Sequence, residues 1–590
     1  MKEKWMIKNP GVNIRTLSEE CDISRFTANL CANRGLKDKE SIDRFLKADI
    51  KDLYDGFLMK DSIKGVGIIK DAIMSRKKIV IYGDYDCDGV ISTFILFKAL
   101  TKCGAQVSYY IPDREQEGYG MNSDRIIKLK EQGYDVILTC DNGISAFEQV
   151  QLAVDLGFQV VITDHHDIPY IEEEGIKVHK IPNANGVINP KQGQCEYPFK
   201  NLCGAGIALK FSVCLYESMG MNKEEAYEFL EYAAIGTVCD VVDLLDENRI
   251  IVKNGLMMLN NTKNLGLKAL IKETGIENKK ISAYHLGFII GPEINATGRL
   301  ESANLALELL LSETEEEAET LAKRLHELNV ERQFLTTESV NELEKIIERG
   351  KMYEEKVLLI YNPNIHESIA GIAAGRIKEK YNLPTIVLTK GKDMPKGSGR
   401  SIDGYNMFEE LSKGKHLMAK FGGHPMAAGL SLQEENIHLL RTLLIDNCTL
   451  TSEDLIPKVR IDASIPLNNI TYELINEIEK FEPFGKGNTS PLLAVKNISI
   501  NRIWFVGKEK NIIKMRCKVP NSDLFIDGIC FDRGEDFKEL IIKEYGEESL
   551  NEIIDKSFCN INLDFTFYPS INEYNGFKNL QLIIKNIRLA

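Results

Sequence analysis

One order recurs along the first half of the chain and constrains its fold most: an apolar run of strand length ends, and carboxylates or histidines follow directly. Strand-like runs at residues 79–82, 136–139 and 160–163 are followed in turn by Asp84, Asp86 and Asp88, by Asp141, and by Asp164, His165 and His166. Asp240 follows an Ala-rich segment at residues 233–237. Strands that alternate with helical segments up to about residue 245 predict a parallel, doubly wound α/β sheet. Because ligands bind beyond the carboxyl ends of such strands, we expect these acids and histidines to lie together.

A crevice with so many carboxylates needs cations. Carboxylates held close together repel one another, and a bound metal ion removes that repulsion. The side chains offer hard oxygen ligands with one or two imidazoles and no convincing thiolate, a set that suits Mn²⁺ or Mg²⁺ better than structural zinc. A single Asp-x-Asp-x-Asp stretch would be a weak signal, but four acid clusters at one edge favour a metal centre.

Two of these stretches, at residues 82–89 and 164–166, resemble the motifs of the DHH phosphoesterases. Further stretches at residues 236–242, 291–300, 422–429 and 483–488 are similar to a branch of that family, the exonucleases specific for single-stranded DNA. The resemblance covers nearly the whole chain, in order. It implies an enzyme that needs two Mn²⁺ or Mg²⁺ ions, hydrolyses single-stranded DNA from the 5′ end to 5′-mononucleotides, and serves DNA repair and recombination.

The resemblance also implies a ligand set for the two ions, which lie roughly 3.5–4 Å apart in sites of this kind and activate a water. The implied ligands are Asp86, Asp88, Asp141, His165 and Asp240, with Asp84 as a sixth candidate because the spacing does not fix which alternating acids point inward. His166 is expected to contact the scissile phosphate or the leaving group. Asp164 is expected to orient an imidazole, unless it only caps a helix. The residues expected to be catalytic are Asp86, Asp141, His165, His166 and Asp240.

A second set of residues is expected to bind the DNA. Arg299 would supply a fork of donors for phosphate oxygens, with Asn295 beside it. Glycine-rich loops of the DHH-associated domain would hold the 5′ end through Ser398, Arg400, Gly422, Gly423 and His424. The chain departs from the family twice. Glu293 stands where relatives usually have an arginine, which predicts the loss of one DNA contact, and the surroundings of His366 are atypical, which makes it a weak candidate.

The chain divides into five predicted segments. These are an N-terminal helical extension at residues 1–75, the DHH catalytic domain at 76–312, one long connecting helix at 313–350, a smaller α/β DHH-associated domain at 351–455, and an OB-type β-barrel that binds nucleic acid at 456–590. The long helix is predicted because apolar residues recur at helical spacing without Pro or Gly. The barrel is predicted because short apolar strands alternate with Gly, Asn and Lys turns. In it, Trp504, Phe505 and Phe525 with nearby lysines are candidates for base stacking, although most barrel aromatics are core residues.

Composition bounds the partners and the location. A net charge of −14 argues, taken alone, against a nucleic-acid binder, so a local basic channel is needed for the expected substrate. The sequence lacks a signal-peptide pattern and a membrane-length apolar stretch, and its 13 cysteines are scattered, so a cytoplasmic protein with reduced thiols and no membrane contact is expected. A helicase and a single-strand-binding protein are candidate partners, and a monomer is favoured because one chain supplies every part of the site.

Two other functions remain open at this point. A phosphodiesterase for short oligonucleotides or cyclic dinucleotides would share the catalytic motifs, but the C-terminal barrel argues against it. A non-catalytic replication scaffold is the second alternative, because some DHH relatives have lost their metal ligands. The acids and histidines retained here argue against the scaffold.

Overall fold

A computed structural model describes residues 3–590 except 115, 119, 174, 175, 532 and 575. The chain forms two units. The first consists of Leu53–Val242 and Ile250–Pro457, and the second of Glu3–Asp52, Asp243–Arg249 and Lys458–Ala590. The predicted N-terminal extension is therefore divided between the units after Asp52. Its elements are β1 (Lys4–Ile7), α1 (Ile14–Cys21), α2 (Arg25–Ala32), α3 (Lys39–Lys47) and α4 (Ser62–Met74).

The first unit is built on a sheet of five parallel strands, as the alternating pattern predicted. Its strand order is β3-β2-β4-β5-β8, and the central strands β2, β4 and β5 are mostly buried apolar runs, as expected for a parallel sheet with helices on its faces. The elements are β2 (Lys78–Tyr82), α5 (Cys87–Lys102), β3 (Gln106–Tyr110), α6 (Ser123–Glu131), β4 (Val136–Cys140), α7 (Phe147–Asp155), β5 (Gln159–Thr163), the hairpin β6 (Tyr170–Glu173) and β7 (Ile176–His179), β8 (Gly186–Ile188), α8 (Gly204–Ser218) and α9 (Leu230–Cys239).

Helices continue this body and end in the predicted connecting helix. They are α10 (Asp246–Leu259), α11 (Leu265–Glu273), α12 (Ala283–His285), a π-helical turn (Leu286–Ile290), α13 (Gly291–Leu300), α14 (Asn304–Leu311) and α15 (Glu315–Arg349). The connecting helix α15 is 35 residues long and begins at Thr314, whose side chain accepts a hydrogen bond from the backbone N–H of Glu317. Its buried residues, among them Leu325, Leu328 and Leu343, follow the predicted helical spacing.

A second sheet of five strands follows in the same unit, with order β12-β13-β11-β10-β9. The elements are β9 (Leu358–Tyr361), α16 (Glu367–Tyr381), β10 (Thr385–Thr389), β11 (Lys396–Arg400), α17 (Met407–Lys413), β12 (Met418–His424), β13 (Ala427–Leu432) and α18 (Asn436–Asp446). The predicted strand, helix and strand at residues 356–388 correspond to β9, α16 and β10. The antiparallel strands β11, β12 and β13 complete the smaller α/β domain.

The second unit contains a closed ring of five strands, in the order β16-β17-β18-β20-β19 and back to β16, with β15 added beside β16. This ring matches the predicted five-stranded OB type. The elements are β14 (Lys458–Ile461), β15 (Ala463–Ser464), α19 (Tyr472–Glu479), β16 (Leu493–Val506), β17 (Ile512–Lys518), β18 (Phe525–Cys530), α20 (Gly534–Lys556), β19 (Phe558–Tyr574) and β20 (Phe577–Leu589). Strand β1 joins the same unit by parallel pairing with β14.

A buried arginine organises the interior of the second unit. Arg249 is 1% exposed and donates hydrogen bonds to the backbone carbonyls of Phe45, Lys480, Phe481 and Glu482. Its guanidinium also lies 3.9 Å from the centroid of the Phe45 ring. These bonds compensate for burying the charge, as a buried arginine requires. Among the described helices of both units, none is long and apolar enough to cross a membrane.

Candidate metal centre and substrate pocket

The carboxyl ends of three neighbouring strands supply most of the predicted ligands. β2, β4 and β5 lie side by side and parallel. Asp84, Asp141 and Asp164 come one or two residues after these strands, at the same edge of the sheet. Asp141 has a φ of 60°, so the chain turns sharply at the residue that follows β4. Asp86 starts α5, where its Oδ1 accepts a hydrogen bond of 3.0 Å from the N–H of Gly89.

Asp240 reaches the same cluster from a helix. The Ala-rich segment before it is the end of α9, and Asp240 is the residue that ends that helix. The fourth acid cluster therefore follows a helix, whereas the other three follow strands. The residue that follows, Val241, has a φ of 57°, which is unusual for a β-branched residue. The chain therefore changes direction directly after Asp240.

Among the described residues, three groups of three side chains could hold a metal ion; one of them, Asp141 with His165 and His166, shares members with the other two, which have no member in common. Of these two groups, one is Asp84, Asp86 and Asp141, and the other is Asp88, His165 and Asp240; within each group the possible ligand atoms lie within 4.8 Å of one another. The groups meet where Nε2 of His165 lies 3.0 Å from Oδ1 of Asp141. All three alternating acids, whose orientation the spacing left open, therefore lie in the cluster.

Asp88 has the most enclosed environment of these acids. Its Oδ2 and Oδ1 accept hydrogen bonds of 2.6 and 2.9 Å from the N–H groups of Gly204 and Ala205 at the start of α8. The positive end of a helix stabilises a carboxylate. A methyl group at Gly204 would lie 2.9 Å from one oxygen of Asp88, and one at Gly236 would lie 2.6 Å from the other. These two glycines therefore leave the space that Asp88 occupies.

Asp164 holds the two histidines in place. Its Oδ1 accepts hydrogen bonds from the backbone N–H groups of His165 and His166, at 2.7 and 3.0 Å, and lies 2.8 Å from Nδ1 of His166. Its Oδ2 accepts a bond of 2.9 Å from the N–H of Ile144. Burial disfavours the ionised form of Asp164, but the hydrogen bond and the charge of His166 lower its pKa to about 2. Asp164 is thus a fixed negative charge behind His166, as its predicted orienting role requires.

The pKa values of the two histidines are shifted in opposite directions. Burial, and then the charge of His166, lowers the pKa of His165 to about 3, so its imidazole is neutral and offers a lone pair. Burial also disfavours the charged form of His166, but the hydrogen bond with Asp164 and the nearby carboxylates raise its pKa to about 9. His166 is therefore a cation at neutral pH, with its side chain 43% exposed to solvent.

The carboxylates of the cluster resist ionisation together. Burial, followed by the charges of Asp88 and Asp86, raises the pKa of Asp240 to about 8. Burial and then Asp86 raise the pKa of Asp88 to about 6 and that of Asp84 well above its ordinary range. Burial and then Asp88 do the same for Asp141. Such mutual repulsion is what a bound cation would relieve.

The donor set fits a hard divalent cation. Oδ1 of Asp84 and Oδ2 of Asp240 are buried, and neither accepts a hydrogen bond from the residues that the structure describes. Buried carboxylate oxygens normally have partners, so these two atoms are suited to a ligand. Carboxylates with a neutral imidazole match the preferences of Mn²⁺ and Mg²⁺.

Three arginines line a cavity of about 350 Å³ next to Ser368 and Ser398. They are Arg114, Arg299 and Arg400. Nη1 of Arg299 donates to the carbonyl of Ser368 at 2.9 Å, and Nη1 of Arg400 donates to Oγ of Ser398 at 2.8 Å. Burial and then the charge of Arg114 lower the pKa of Arg299 to about 10 and also lower that of Arg400. Three guanidinium groups so close together favour an anion between them.

Arg114 was missed by the sequence analysis. It lies on the loop after β3, and the strand-end argument used for β2, β4 and β5 would have found it. Its guanidinium lies 5.2 Å from the ring centroid of Tyr85, the residue between Asp84 and Asp86. The loop of the first acid cluster and the arginine pocket are therefore contiguous.

Helix α13 contacts the loop of the first acid cluster through Asn295 and Gly298. Oδ1 of Asn295 accepts a hydrogen bond of 3.0 Å from the N–H of Cys87, which lies between Asp86 and Asp88. A methyl group at Gly298 would lie 2.3 Å from the carbonyl oxygen of Tyr85. Asn295 is thus placed to position the ligand loop, whereas its expected contact with DNA stays a prediction.

Glu293, the departure from the family, faces the connecting helix. It is 3% exposed, and its Oε1 accepts a hydrogen bond of 2.8 Å from Nδ2 of Asn329 and lies 3.2 Å from Nδ1 of His326. Burial raises its pKa. The side chain therefore packs α13 against α15, and the loss of a DNA contact at this position stays a prediction.

The remaining predicted positions lie in the second sheet and the ring. Gly422, Gly423 and His424 form the exposed end of β12. The pKa of Asp167, next to His166, is lowered first by its hydrogen bond with Lys191 and further by the charges of His166 and His424, so His424 acts electrostatically on the residue that follows the histidine pair. His366 starts α16, where its Nδ1 accepts a bond from the N–H of Ser368. In the ring, Phe505 packs against the core while Phe525 is 43% exposed.

Comparison with known proteins places three families along the chain. Family profiles match for the DHH family N-terminal domain at residues 78–237, the DHHA1 domain at residues 354–449 and the RecJ OB domain at residues 461–586. These matches cover, in order, the parallel sheet, the second sheet and the ring.

Similar proteins have the same arrangement. The single-stranded-DNA-specific exonuclease RecJ of Bacillus subtilis is 37% identical over 594 residues, which cover all of this chain and 71% of that protein. RecJ of Escherichia coli is 29% identical, with both chains covered completely. The crystal structure of Thermus thermophilus RecJ in complex with Mn²⁺ matches all of this chain and 80% of that one, with a TM-score of 0.81 and 25% identity.

Proposed function

Because the chain belongs to the RecJ family of single-stranded-DNA-specific exonucleases, we propose that it hydrolyses single-stranded DNA from the 5′ end with two Mn²⁺ or Mg²⁺ ions and releases 5′-mononucleotides. The observation on which the proposal rests is the pair of three-residue ligand groups next to a pocket of three arginines. DNA repair and recombination are the processes that such an activity serves. The alternatives, a small-substrate phosphodiesterase and a non-catalytic scaffold, lack an observation of their own.

The ligand groups support a proposed assignment of the two ions to particular side chains. Asp84, Asp86 and Asp141 would hold one ion, and Asp88, His165 and Asp240 the other. When bound, the ions supply an activated water and neutralise charge on the phosphate. Neutral His165 is ready to bind metal without releasing a proton, whereas Asp240, with a pKa of about 8, releases a proton at neutral pH as it becomes a ligand.

His166 is proposed to act on the leaving group. Asp164 occupies Nδ1 of its ring, so Nε2 is the atom from which a proton or a hydrogen bond can pass to the phosphate or to the departing 3′ oxygen. With a pKa of about 9, the imidazolium holds that proton at neutral pH. Asp164 itself fixes the ring orientation and the charge.

The arginine pocket supports the proposed polarity. Arg299, Arg400 and Arg114 line one cavity and would supply the positive charge that a terminal phosphate needs, and Ser398 adds a hydroxyl. A 5′ phosphate held there would place the first phosphodiester bond toward the acid cluster, with Gly422, Gly423 and His424 on the neighbouring strand β12. The ring of the second unit would bind the following nucleotides. A monomeric, cytoplasmic enzyme assisted by a helicase and a single-strand-binding protein stays a prediction.

Labelled DNA tests the proposal. Single-stranded DNA labelled at the 5′ or the 3′ end, with duplex as control, is incubated with Mn²⁺, Mg²⁺ or chelator. Labelled mononucleotide released at once from the 5′ label only, and only with metal, is expected. Cleavage restricted to the shortest oligonucleotides or to cyclic dinucleotides would support the phosphodiesterase, and binding without cleavage would support the scaffold.

A further inference from the structure

A stacked pair of aromatic rings lies on the surface of the first unit. The rings of Tyr284 and Phe288 have centroids 4.9 Å apart and an angle of 27° between their planes. The two residues are 63% and 70% exposed. Aromatic side chains bury a large apolar area when they pack in a core, so two adjacent rings left in solvent need an explanation.

The backbone under this pair is also unusual. Phe288 lies in the π-helical turn Leu286–Ile290, whose end residues Leu286 and Ile290 are buried, so Phe288 is presented outward. Such turns occur mostly as single insertions and are frequent at functional sites. A π-helical turn is therefore not what the local preference of this segment for an α-helix would produce.

The turn that carries Phe288 contacts the helix that ends at the metal ligand candidate Asp240. Sγ of Cys239, the residue before Asp240, donates a hydrogen bond of 3.6 Å to the carbonyl of Leu286. A methyl group at Gly291, the first residue of α13, would lie 2.3 Å from the same sulfur. The turn that presents Phe288 thus packs directly against the end of α9, where Asp240 enters the cluster.

The stretch of chain that carries the pair, residues 275–290, has more lysines than acids, although the chain as a whole has a net charge of −14. Lys279 and Lys280 are exposed just before α12, and Glu277 is the one acid among residues 275–290. Lys279 lies near enough to act on His285, whose pKa is lowered by burial and then by that lysine. Exposed aromatic faces next to lysines are the combination that binds bases and phosphates of a single strand.

We propose that Tyr284 and Phe288 form a stacking platform for one base of the single-stranded DNA substrate, with Lys279 and Lys280 contacting adjacent phosphates. This inference rests on the proposed function and adds a binding site outside the metal ligands and the arginine pocket. A base matches the feature in size because it covers a single ring face. A stable protein partner would need roughly 800 Å² of surface on this chain, and the pair offers two side chains.

Fluorescence of a base analogue tests the platform. In the full-length Asp141→Asn protein, which is expected not to cut DNA, 5′-phosphorylated oligonucleotides with one 2-aminopurine at successive positions are bound in Mg²⁺. The comparison is with Tyr284→Ala/Phe288→Ala, with the conservative Tyr284→Phe/Phe288→Tyr, and with Tyr353→Ala, which removes another exposed aromatic of the same unit. Melting temperatures of all variants check folding.

We expect quenching at one position of the strand, which the double alanine variant loses together with at least about fivefold of affinity. The conservative variant and Tyr353→Ala should keep both. An abasic nucleotide at the quenched position should lower the DNA affinity of the protein that keeps Tyr284 and Phe288 by the same factor. It should not change the DNA affinity of the double alanine variant. Unchanged quenching and affinity in the double alanine variant would overturn the proposal of a stacking platform. Binding of a protein partner would then be the explanation of the exposed rings. If the wild-type chain fails to cut single-stranded DNA, the proposed function itself is wrong, which is a separate result.

Discussion

At the scale of single residues, backbone conformation matters as much as side-chain chemistry in the metal centre. Asp141 has a left-handed φ of 60°. Asparagine and aspartate tolerate this region, whereas alanine pays roughly 1–2 kcal/mol there. Replacement by asparagine therefore removes the charge and keeps the turn, which makes Asp141→Asn a cleaner variant than Asp141→Ala.

Asp141→Asn should abolish activity without destabilising the metal-free protein. Loss of an ionised ligand removes several kcal/mol of metal-assisted stabilisation, so the rate should fall by at least about a hundredfold. Because burial and Asp88 hold the pKa of Asp141 well above its usual range, removing this carboxylate also relieves repulsion. The metal-free variant should melt at the wild-type temperature or above it. A lower melting temperature in chelator would contradict the repulsion described here.

Asp164→Asn should change the pH dependence of the reaction. Burial disfavours the imidazolium of His166, but the hydrogen bond that it donates to Asp164, the charge of Asp164 and the nearby carboxylates of Asp240 and Asp84 raise its pKa from 6.5 to about 9. Without the charge, His166 should lose its proton nearer its ordinary pKa. The rate at saturating DNA should fall about 10- to 100-fold, and the alkaline limb of its pH profile in Mg²⁺ should move to lower pH. An unmoved limb would show that His166 is not the group that titrates.

At the scale of elements, α13 is the helix on which the ligand loop depends. Its Gly298 lies against the carbonyl of Tyr85, and its Asn295 bonds to the N–H of Cys87. These contacts fix the backbone on either side of Asp86. The geometry of the first ligand group thus depends on a helix that supplies no ligand to it.

Gly298→Ala and Gly375→Ala form a matched pair that tests this dependence. Both glycines lie inside helices, where alanine is intrinsically favoured by about 1 kcal/mol. A methyl group at Gly375, in α16, meets no atom within 4 Å, whereas one at Gly298 would lie 2.3 Å from a backbone oxygen. Gly375→Ala should keep Mn²⁺ affinity and raise the melting temperature slightly. Gly298→Ala should weaken Mn²⁺ binding and activity at least about tenfold; equal behaviour of the two variants would refute the dependence.

Elements with a local signal could be predicted from the sequence, and those without one could not. The strands before Asp84, Asp141 and Asp164 are continuous apolar runs, and the connecting helix has unbroken helical spacing. Helix α20 was not predicted from the sequence, because Gly546, with a φ of 81°, divides it into two short pieces. The pairing of β1 with β14 joins residues more than 450 positions apart, such as Lys4 and Lys458, and no local pattern encodes it. Arg114 was not predicted because the strand-end argument was applied to acids and histidines, and Arg114 is a cation at the same edge of the sheet.

At the scale of the whole molecule, metal binding and stability are linked through protonation. In the metal-free protein, the pKa of Asp240 is about 8, against an ordinary value of 3.8. Between these values the folded state binds more protons than the unfolded state, so stability falls as pH rises. His166 acts in the same direction, because its stabilisation is complete below pH 6.5 and is lost as pH rises through about 9.

The melting temperature in chelator should therefore decrease from pH 6 to pH 9, and the increase produced by Mn²⁺ should grow over the same range. Thermal unfolding at several pH values with chelator or Mn²⁺ measures both trends. Asp240→Asn, which cannot ionise, should flatten the slope in chelator. A metal-free protein that gains stability toward pH 9 would mean that the cluster is not electrostatically strained.

The most direct measurement is the number of Mn²⁺ ions bound, by calorimetric titration of the metal-free, full-length chain at pH 7. Two ions per chain are predicted, with proton release that makes the measured binding enthalpy differ between buffers of different ionisation enthalpy, because Asp240 ionises on binding. Asp141→Asn should lose at least one ion. A wild-type chain that binds no Mn²⁺ in the millimolar range would contradict the assignment of the acid cluster as a metal centre.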